Sequence, residues 1–175
     1  MRQIGFILLL LAQTSFAQSK TDSIVAHIDS SKHYLSYIPE ALEQQGCFSE
    51  ILFDSTHIYR MDQHCEGSIH ARTESYYYQN DTLIYFISRE YTFNAPVTFT
   101  EERAKAEGFS GGWFNPEQTI TETYSCYFQG GKMIRMVNNE GTLIPVNSEE
   151  FAQKETELLI SAEIGRTAYK NRITP

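Results

Sequence analysis

The side chains that could do chemistry gather in one stretch. His57, Asp62, His64, Cys65, Glu66 and His70 all fall between positions 57 and 70. Imidazole, thiolate and carboxylate are the ligand types of zinc, and an imidazole beside a carboxylate is a common acid/base pair. The spacing nevertheless fits no ligand framework. There is no C-x-x-C, no H-x-x-x-H and no H-E-x-x-H. Met61 to Gly67 is polar and reads as a loop. His27 and His33 lie six apart on an expected helix, about 120° around its axis, which does not bring two imidazoles onto one ion. A metal-dependent or hydrolytic enzyme using the His57/His64/His70 region is therefore an alternative reading of function. The residues name no catalytic group, no metal and no cofactor.

The three cysteines are Cys47, Cys65 and Cys126. In an oxidising compartment a Cys47–Cys65 disulfide is the expected pair, tying the end of a helical N-terminal region to the first strand region, although three pairings are possible. Cys126 lies between Tyr124 and Phe128 in an expected strand, where it reads as a buried thiol acting as a small hydrophobe.

The compartment follows from the first seventeen residues. Arg2 supplies a positive start, Ile4 to Ala12 is an apolar run too short to span a bilayer, and Ser15 and Ala17 are small residues at the −3 and −1 positions of a cleavage site. Residues 1–17 are thus expected to be a cleaved signal peptide, and residues 18–175 a single α+β domain. No later segment approaches the roughly twenty apolar residues of a membrane span. The expected product is soluble and periplasmic or secreted. Arg2 is the one charged residue of the leader, so the remainder carries 13 Lys and Arg against 22 Asp and Glu, a net of about −9. That balance opposes binding to nucleic-acid phosphates and to anionic lipid.

The elements that must position these groups read as follows. Thr21 to Ile38 has apolar residues near one helical face (Ile24, Val25, Ile28, Leu35, Ile38) and predicts a helix ended by Pro39. Pro39 to Gly46 predicts a second, short one. Phe48 to Met61 predicts β structure turning at Asp54-Ser55. Arg72 to Glu90 predicts a hairpin about Asn80-Asp81, a dipeptide suited to a type I′ turn. A straight register from that turn opposes Tyr78 to Leu83, Tyr77 to Ile84, Tyr76 to Tyr85 and Ser75 to Phe86. Both hairpin faces then carry large apolar groups, so both should be covered, one of them by helix. A second hairpin, Thr119 to Asn138, turns at Gly130-Gly131, fifty residues on from the first. The expected fold is a single antiparallel sheet of two long hairpins plus an N-terminal strand region, packed by N-terminal and C-terminal helices. The last helix follows Asn147-Ser148 and buries Phe151, Leu158, Leu159 and Ala162.

Between the hairpins Thr100 caps a short helix, Glu101 to Glu107. Then comes Gly108-Phe-Ser-Gly-Gly-Trp-Phe-Asn-Pro116. Three glycines and a proline enclose Phe109, Trp113 and Phe114. No Lys follows the glycines, so this is no phosphate cradle. The loop is either a contact surface, since aromatics dominate interface energetics, or a plug for one end of the sheet.

Tyr127-Phe128-Gln129-Gly130-Gly131-Lys132-Met133-Ile134 resembles the hairpins of small exported bacterial proteins of unassigned function, which combine a helix, paired aromatic hairpins and a closing helix. The resemblance runs from about Arg72 to Ala162 and implies that architecture, with no catalytic residues. The hairpins also look faintly like a MORN-type repeat, from whose shorter period the fifty-residue spacing departs. The function expected is an exported, soluble, non-catalytic binding or interaction module. Its partner would be a protein or small ligand of the cell envelope, contacted through Phe109, Trp113 and Phe114. A carrier of a small apolar ligand lined by the tyrosines is a further alternative.

Overall fold

The structure, a computed structural model, describes residues 18–43 and 46–173. The segment expected to be a leader, 1–17, lies outside the described residues. Seven strands form one sheet: β1 (Leu35–Tyr37), β2 (Cys47–Phe53), β3 (Ile58–Glu66), β4 (His70–Gln79), β5 (Thr82–Thr92), β6 (Ile120–Gln129) and β7 (Lys132–Val137). Each strand pairs antiparallel with its neighbour in sequence, so the spatial order is the chain order. Helix α1 spans residues 18–30, α2 spans Glu101–Ala106, and α3 spans Glu149–Ile173. The class is α+β, as expected.

The turns follow from local chemistry. Asp54 Oδ1 accepts from Thr56 N (2.7 Å), His57 N (2.8 Å) and the Thr56 hydroxyl, an Asx turn that closes β2 on β3. Asn80 and Asp81 take φ 50° and 58°, and Gly130 and Gly131 take 59° and 76°, as type I′ turns require. Ser148 Oγ accepts from Phe151 N at 3.2 Å and caps α3.

Four expectations are corrected. The expected helix Thr21–Ile38 stops at residue 30, and Leu35–Tyr37 pairs with Ile51–Phe53 as an edge strand. The polar run Ser30-Ser31-Lys32-His33 offers no apolar face to continue the helix, whereas Tyr37 packs against the core once extended. The expected second helix from Pro39 is only a 3-10 turn, Glu40–Leu42. Met61 to Gly67 is no loop, because residues 61–66 are the second half of β3, paired on both sides. Finally, the hairpin register slips. Tyr78 does face Leu83, but Tyr77 faces Tyr85, Tyr76 faces Phe86 and Ser75 faces Ile87, which leaves Ile84 as an extra residue in a β-bulge. The same bulge recurs at Tyr59 in β3 and Ile134 in β7.

The bulges decide what faces what. They put residues three apart, Ile58 and Met61, Leu83 and Phe86, and Met133 and Met136, on one face of the sheet. There they join Ile51, Phe53, Tyr76, Tyr78, Cys126 and Phe128 beneath Phe151, Leu158, Ala162 and Tyr169 of α3. Burying such side chains is worth roughly 1.5–3 kcal/mol apiece. On the opposite face Tyr77, Tyr85 and Tyr127 form a row with ring centroids 5.7 and 4.9 Å apart. Helix α1 crosses that row: Tyr127 Oη donates to Asp22, Tyr77 Oη to Asp29 (3.0 Å), and Arg60 bridges to Asp29 (2.7 Å). Both sheet faces are therefore covered by helix near the hairpin turns.

Candidate functional site at the uncovered end of the sheet

The contacts of both helices concentrate toward the end of the sheet that carries the turns at Asp54, Asn80 and Gly130. Tyr169 Oη reaches the Asp54 carbonyl, Tyr78 Oη the Ala162 carbonyl, and Glu155 accepts from Met133 N at 2.7 Å. The other end, where β3 meets β4 and β5 meets β6, carries instead the insertion formed by residues 93–119.

That insertion has its own small core. Phe93 N donates to Ile69 O (2.9 Å) and Val97 N to Ser68 O (3.1 Å), which ties it to the β3–β4 turn. Thr100 caps α2, and Ala104 is fully buried beneath it. Phe99 packs edge-on to Phe109 at 5.5 Å, and Phe93 to Phe114 at 5.6 Å. Asn94 clamps the glycine-rich loop at two points: its Nδ2 donates to Trp113 O and its Oδ1 accepts from Asn115 N, each at 2.9 Å. Phe114 N donates to Phe99 O, which closes the loop on itself.

The three aromatics of the loop thus have different positions. Phe114 and Trp113 are half-buried, with Phe114 against Phe93, the first residue of the insertion. Phe109 is 53% exposed. Ile69, Val97 and Ile120, which sequence reasoning left unremarked, are exposed at the same end. Their exposure depends on which segments the insertion leaves bare, and no local pattern carries that information. A shallow cleft of about 330 Å³ nearby is lined by the Cys47–Cys65 disulfide, His70, Arg72 and Glu90.

The disulfide is present between directly opposed residues of β2 and β3. Cys47 begins a strand and does not end a helix, so the bond staples a hairpin. Cys126 is free and fully buried, and burial pushes its thiol up to about 12. A nucleophile needs the reverse.

The histidine stretch is drawn out along β3. His57 sits in the β2–β3 turn, 2.7 Å from the Thr56 hydroxyl. A rise of about 3.4 Å per residue carries Glu66 roughly 30 Å away at the far end of the strand. Asp62 is buried and held by Arg60 Nε (2.8 Å) and the Ser75 hydroxyl (2.7 Å). His64 stacks on Phe48, and His70 lies beside Thr92. Among the described residues no three His, Cys, Asp or Glu side chains are grouped to hold a metal ion. In the turn before β3, Asp54 is held well below the usual carboxylate range by the Tyr59 hydroxyl first and then by the Thr56 N–H. Tyr59 is correspondingly raised to about 12. This pair belongs to the β2–β3 turn, which it helps to close.

No known protein family, curated protein or solved structure matches this chain. Among the described residues no helix is long and apolar enough to cross a membrane.

Proposed function

We propose that this chain is an exported, non-catalytic interaction module that grips a partner in the cell envelope with the insertion end of its sheet. The observation that carries the reading is that apolar side chains stay exposed at that end: Phe109 on the insertion's glycine-rich loop, Val97 elsewhere in the insertion, and Ile69 and Ile120 on the adjoining turn and strand. An apolar side chain held out on a loop pinned by hydrogen bonds suits an interface, because a pre-ordered loop loses little entropy on binding. Export is supported by the leader-like first seventeen residues and by the disulfide. The test is a pull-down from envelope extract, followed by titration of the captured partner. Phe109→Ala and Trp113→Ala should weaken binding at least tenfold, and Phe109→Ala should leave the melting temperature within about 2 °C. If Phe109→Ala binds as wild type and Trp113→Ala melts far lower, the loop is a plug and the proposal fails.

A second reading rests on a different observation. A cavity of about 660 Å³ between α1 and the hairpin turns is lined by Tyr34, Tyr59, Tyr78, His27 and His57. That volume suits a small ligand. A carrier role predicts a bound mass in native mass spectrometry of freshly purified protein, and a bare mass removes it.

A further inference from the structure

Cleavage after Ala17, as export requires, makes Gln18 the first residue of the finished chain. It is also the first described residue of α1. A glutamine in that place has a reaction that no other position allows: its α-nitrogen can attack its own side-chain amide. The surroundings of Gln18 bear on that reaction. Its Oε1 accepts from Arg135 Nη1. Arg135 is itself well placed, opposite Tyr127 in the β6–β7 pair with its guanidinium 5.9 Å from that ring's centroid. The Gln18 Nε2, by contrast, reaches only the Tyr127 hydroxyl, at 3.5 Å. That hydroxyl has a closer partner in Asp22, at 3.1 Å. The fold thus uses the amide oxygen and makes little use of the amide nitrogen.

An open terminus adds an ammonium at this point. It stands at the positive end of the α1 dipole and on the residue that Arg135 grips, and both influences oppose its charge. Asp22, one turn further along α1, is the nearest carboxylate in sequence, and the Tyr127 hydroxyl already engages it. The same two influences favour the uncharged amine, which is the form that attacks. As the α-nitrogen adds to Cδ, negative charge gathers on Oε1, the atom to which Arg135 already donates.

We infer that Gln18 of the exported chain closes to pyroglutamate, with Arg135 holding the carbonyl oxygen while the ring forms and afterwards. The bond from the α-nitrogen to Cδ forms and the bond from Cδ to Nε2 breaks. One proton passes from the α-amine to Nε2, which leaves as ammonia. No oxidant, reductant or second substrate enters. The lactam keeps the acceptor that Arg135 uses, gives up the weakly held nitrogen and carries no charge. It also protects the start of α1 from aminopeptidases. This modification rests on the export proposed above and is independent of the partner site on the insertion.

Intact-mass spectrometry of the full chain after export from a bacterial host tests it. The expected product starts at residue 18, weighs one ammonia less than the open chain, and resists aminopeptidase until pyroglutamyl peptidase removes the ring. The part played by Arg135 is read separately. Residues 18–175 are released from an amino-terminal fusion by a protease that cuts just before Gln18, and the loss of ammonia is followed by mass over time. The folded chain should close at least about tenfold faster than the same chain unfolded in guanidinium chloride, since an oxyanion donor acts only when it is in place. Arg135→Gln should remove that difference. A chain that starts at residue 18 with an open glutamine overturns the inference and leaves export standing. A chain that keeps its leader, or is cut elsewhere, removes both. Equal rates in the folded and unfolded wild type would overturn the inference too, because Arg135 would then take no part.

Discussion

Replacing Asp62 by alanine should cost the protein about 2 kcal/mol. The side chain is 8% exposed and meets Arg60 through Nε and Nη2, both at 2.8 Å, while its other oxygen accepts from Ser75 at 2.7 Å. Removing one partner of a buried ion pair typically costs 3–5 kcal/mol, because the other charge stays buried alone. Arg60 is not left alone. Its Nη1 keeps Asp29, whose side chain is 44% exposed, and the guanidinium lies 5.9 Å from the Tyr77 ring centroid. Solvent screening makes that second bridge worth at most about 1 kcal/mol, which lowers the loss without abolishing it. Ser75 loses its acceptor as well, at about 1 kcal/mol or less because the site is partly open. Urea unfolding should therefore show a lower midpoint at unchanged slope, with the melting temperature down by about 4–8 °C for a domain of this size. Asp62→Asn should fall between the two, keeping the Ser75 bond but losing the charge. A loss below about 0.5 kcal/mol for Asp62→Ala would refute the argument, since it would mean that Arg60 and Ser75 find other partners freely. Metal-dependent stability that vanishes in the variant would refute it from the other side.

Removing the Cys47–Cys65 bond, with alanine at both positions, should lower stability by about 3 kcal/mol, the loop-entropy value for a bridge spanning 18 residues. A denaturant titration with and without reductant should show the same loss in wild type and none in the variant. For Asp54 the folded pKa lies below its ordinary 3.8, so its contribution is complete above about pH 4 and fades as the pH falls through that value toward the folded one. Asp54→Asn should flatten this acid limb. The partner hydroxyl gives the mirror image: Tyr59 is raised from 10.0 to about 12, so its share is intact below pH 10 and is lost between pH 10 and 12, and Tyr59→Phe should abolish that loss. Excising residues 95–117 and joining the strands with a two-residue Asn-Gly turn should leave a cooperatively folding sheet that no longer captures the partner. A variant that unfolds outright would show that the insertion serves the core.

What could be read from the chain was whatever local chemistry decides. Asn80-Asp81 and Gly130-Gly131 form turns because few other pairs accept positive φ, and Ser148 caps because its hydroxyl satisfies a free N–H. β1 carries no legible signal because three residues hold too little pattern, and what keeps them extended is the edge of β2. Beyond Met61 the sequence of β3 reads as a loop because the residues there are polar on both faces. Their order comes from pairing on both sides and from the hydrogen bond of the Ser75 hydroxyl to Asp62, both of them contacts between strands. The register failed at the bulges. Alternation predicts apolar residues two apart after each turn, whereas the chain spaces them three apart, as in Leu83-Ile84-Tyr85-Phe86. In the insertion, the glycines and aromatics marked the loop as unusual. Which aromatic ends up exposed is set by the Asn94 clamp and the Phe93–Phe114 contact, neither of which is local.

The spacing of the turns separates scaffold from insertion. Phe53 and Ile58, Tyr78 and Leu83, and Phe128 and Met133 are the last core pairs before each bulge. The second pair stands 25 residues after the first and the third 50 after the second, so one interval is skipped. What fills the skipped interval is the insertion. It connects Thr92 to Ile120, which already face one another across β5 and β6. Neighbouring antiparallel strands need only two to five residues between them, so chain connection explains none of its length. A repeated scaffold specifies its own stability through the bulge pairs and through α3, and it gains nothing in its core from an extra mini-core at the far end. The side chains that this segment leaves bare, Val97 and Phe109 among them, are costly to keep in water. That they stand on the one long departure from an otherwise regular meander is the physical reason for placing the partner there and not on the histidines of β3.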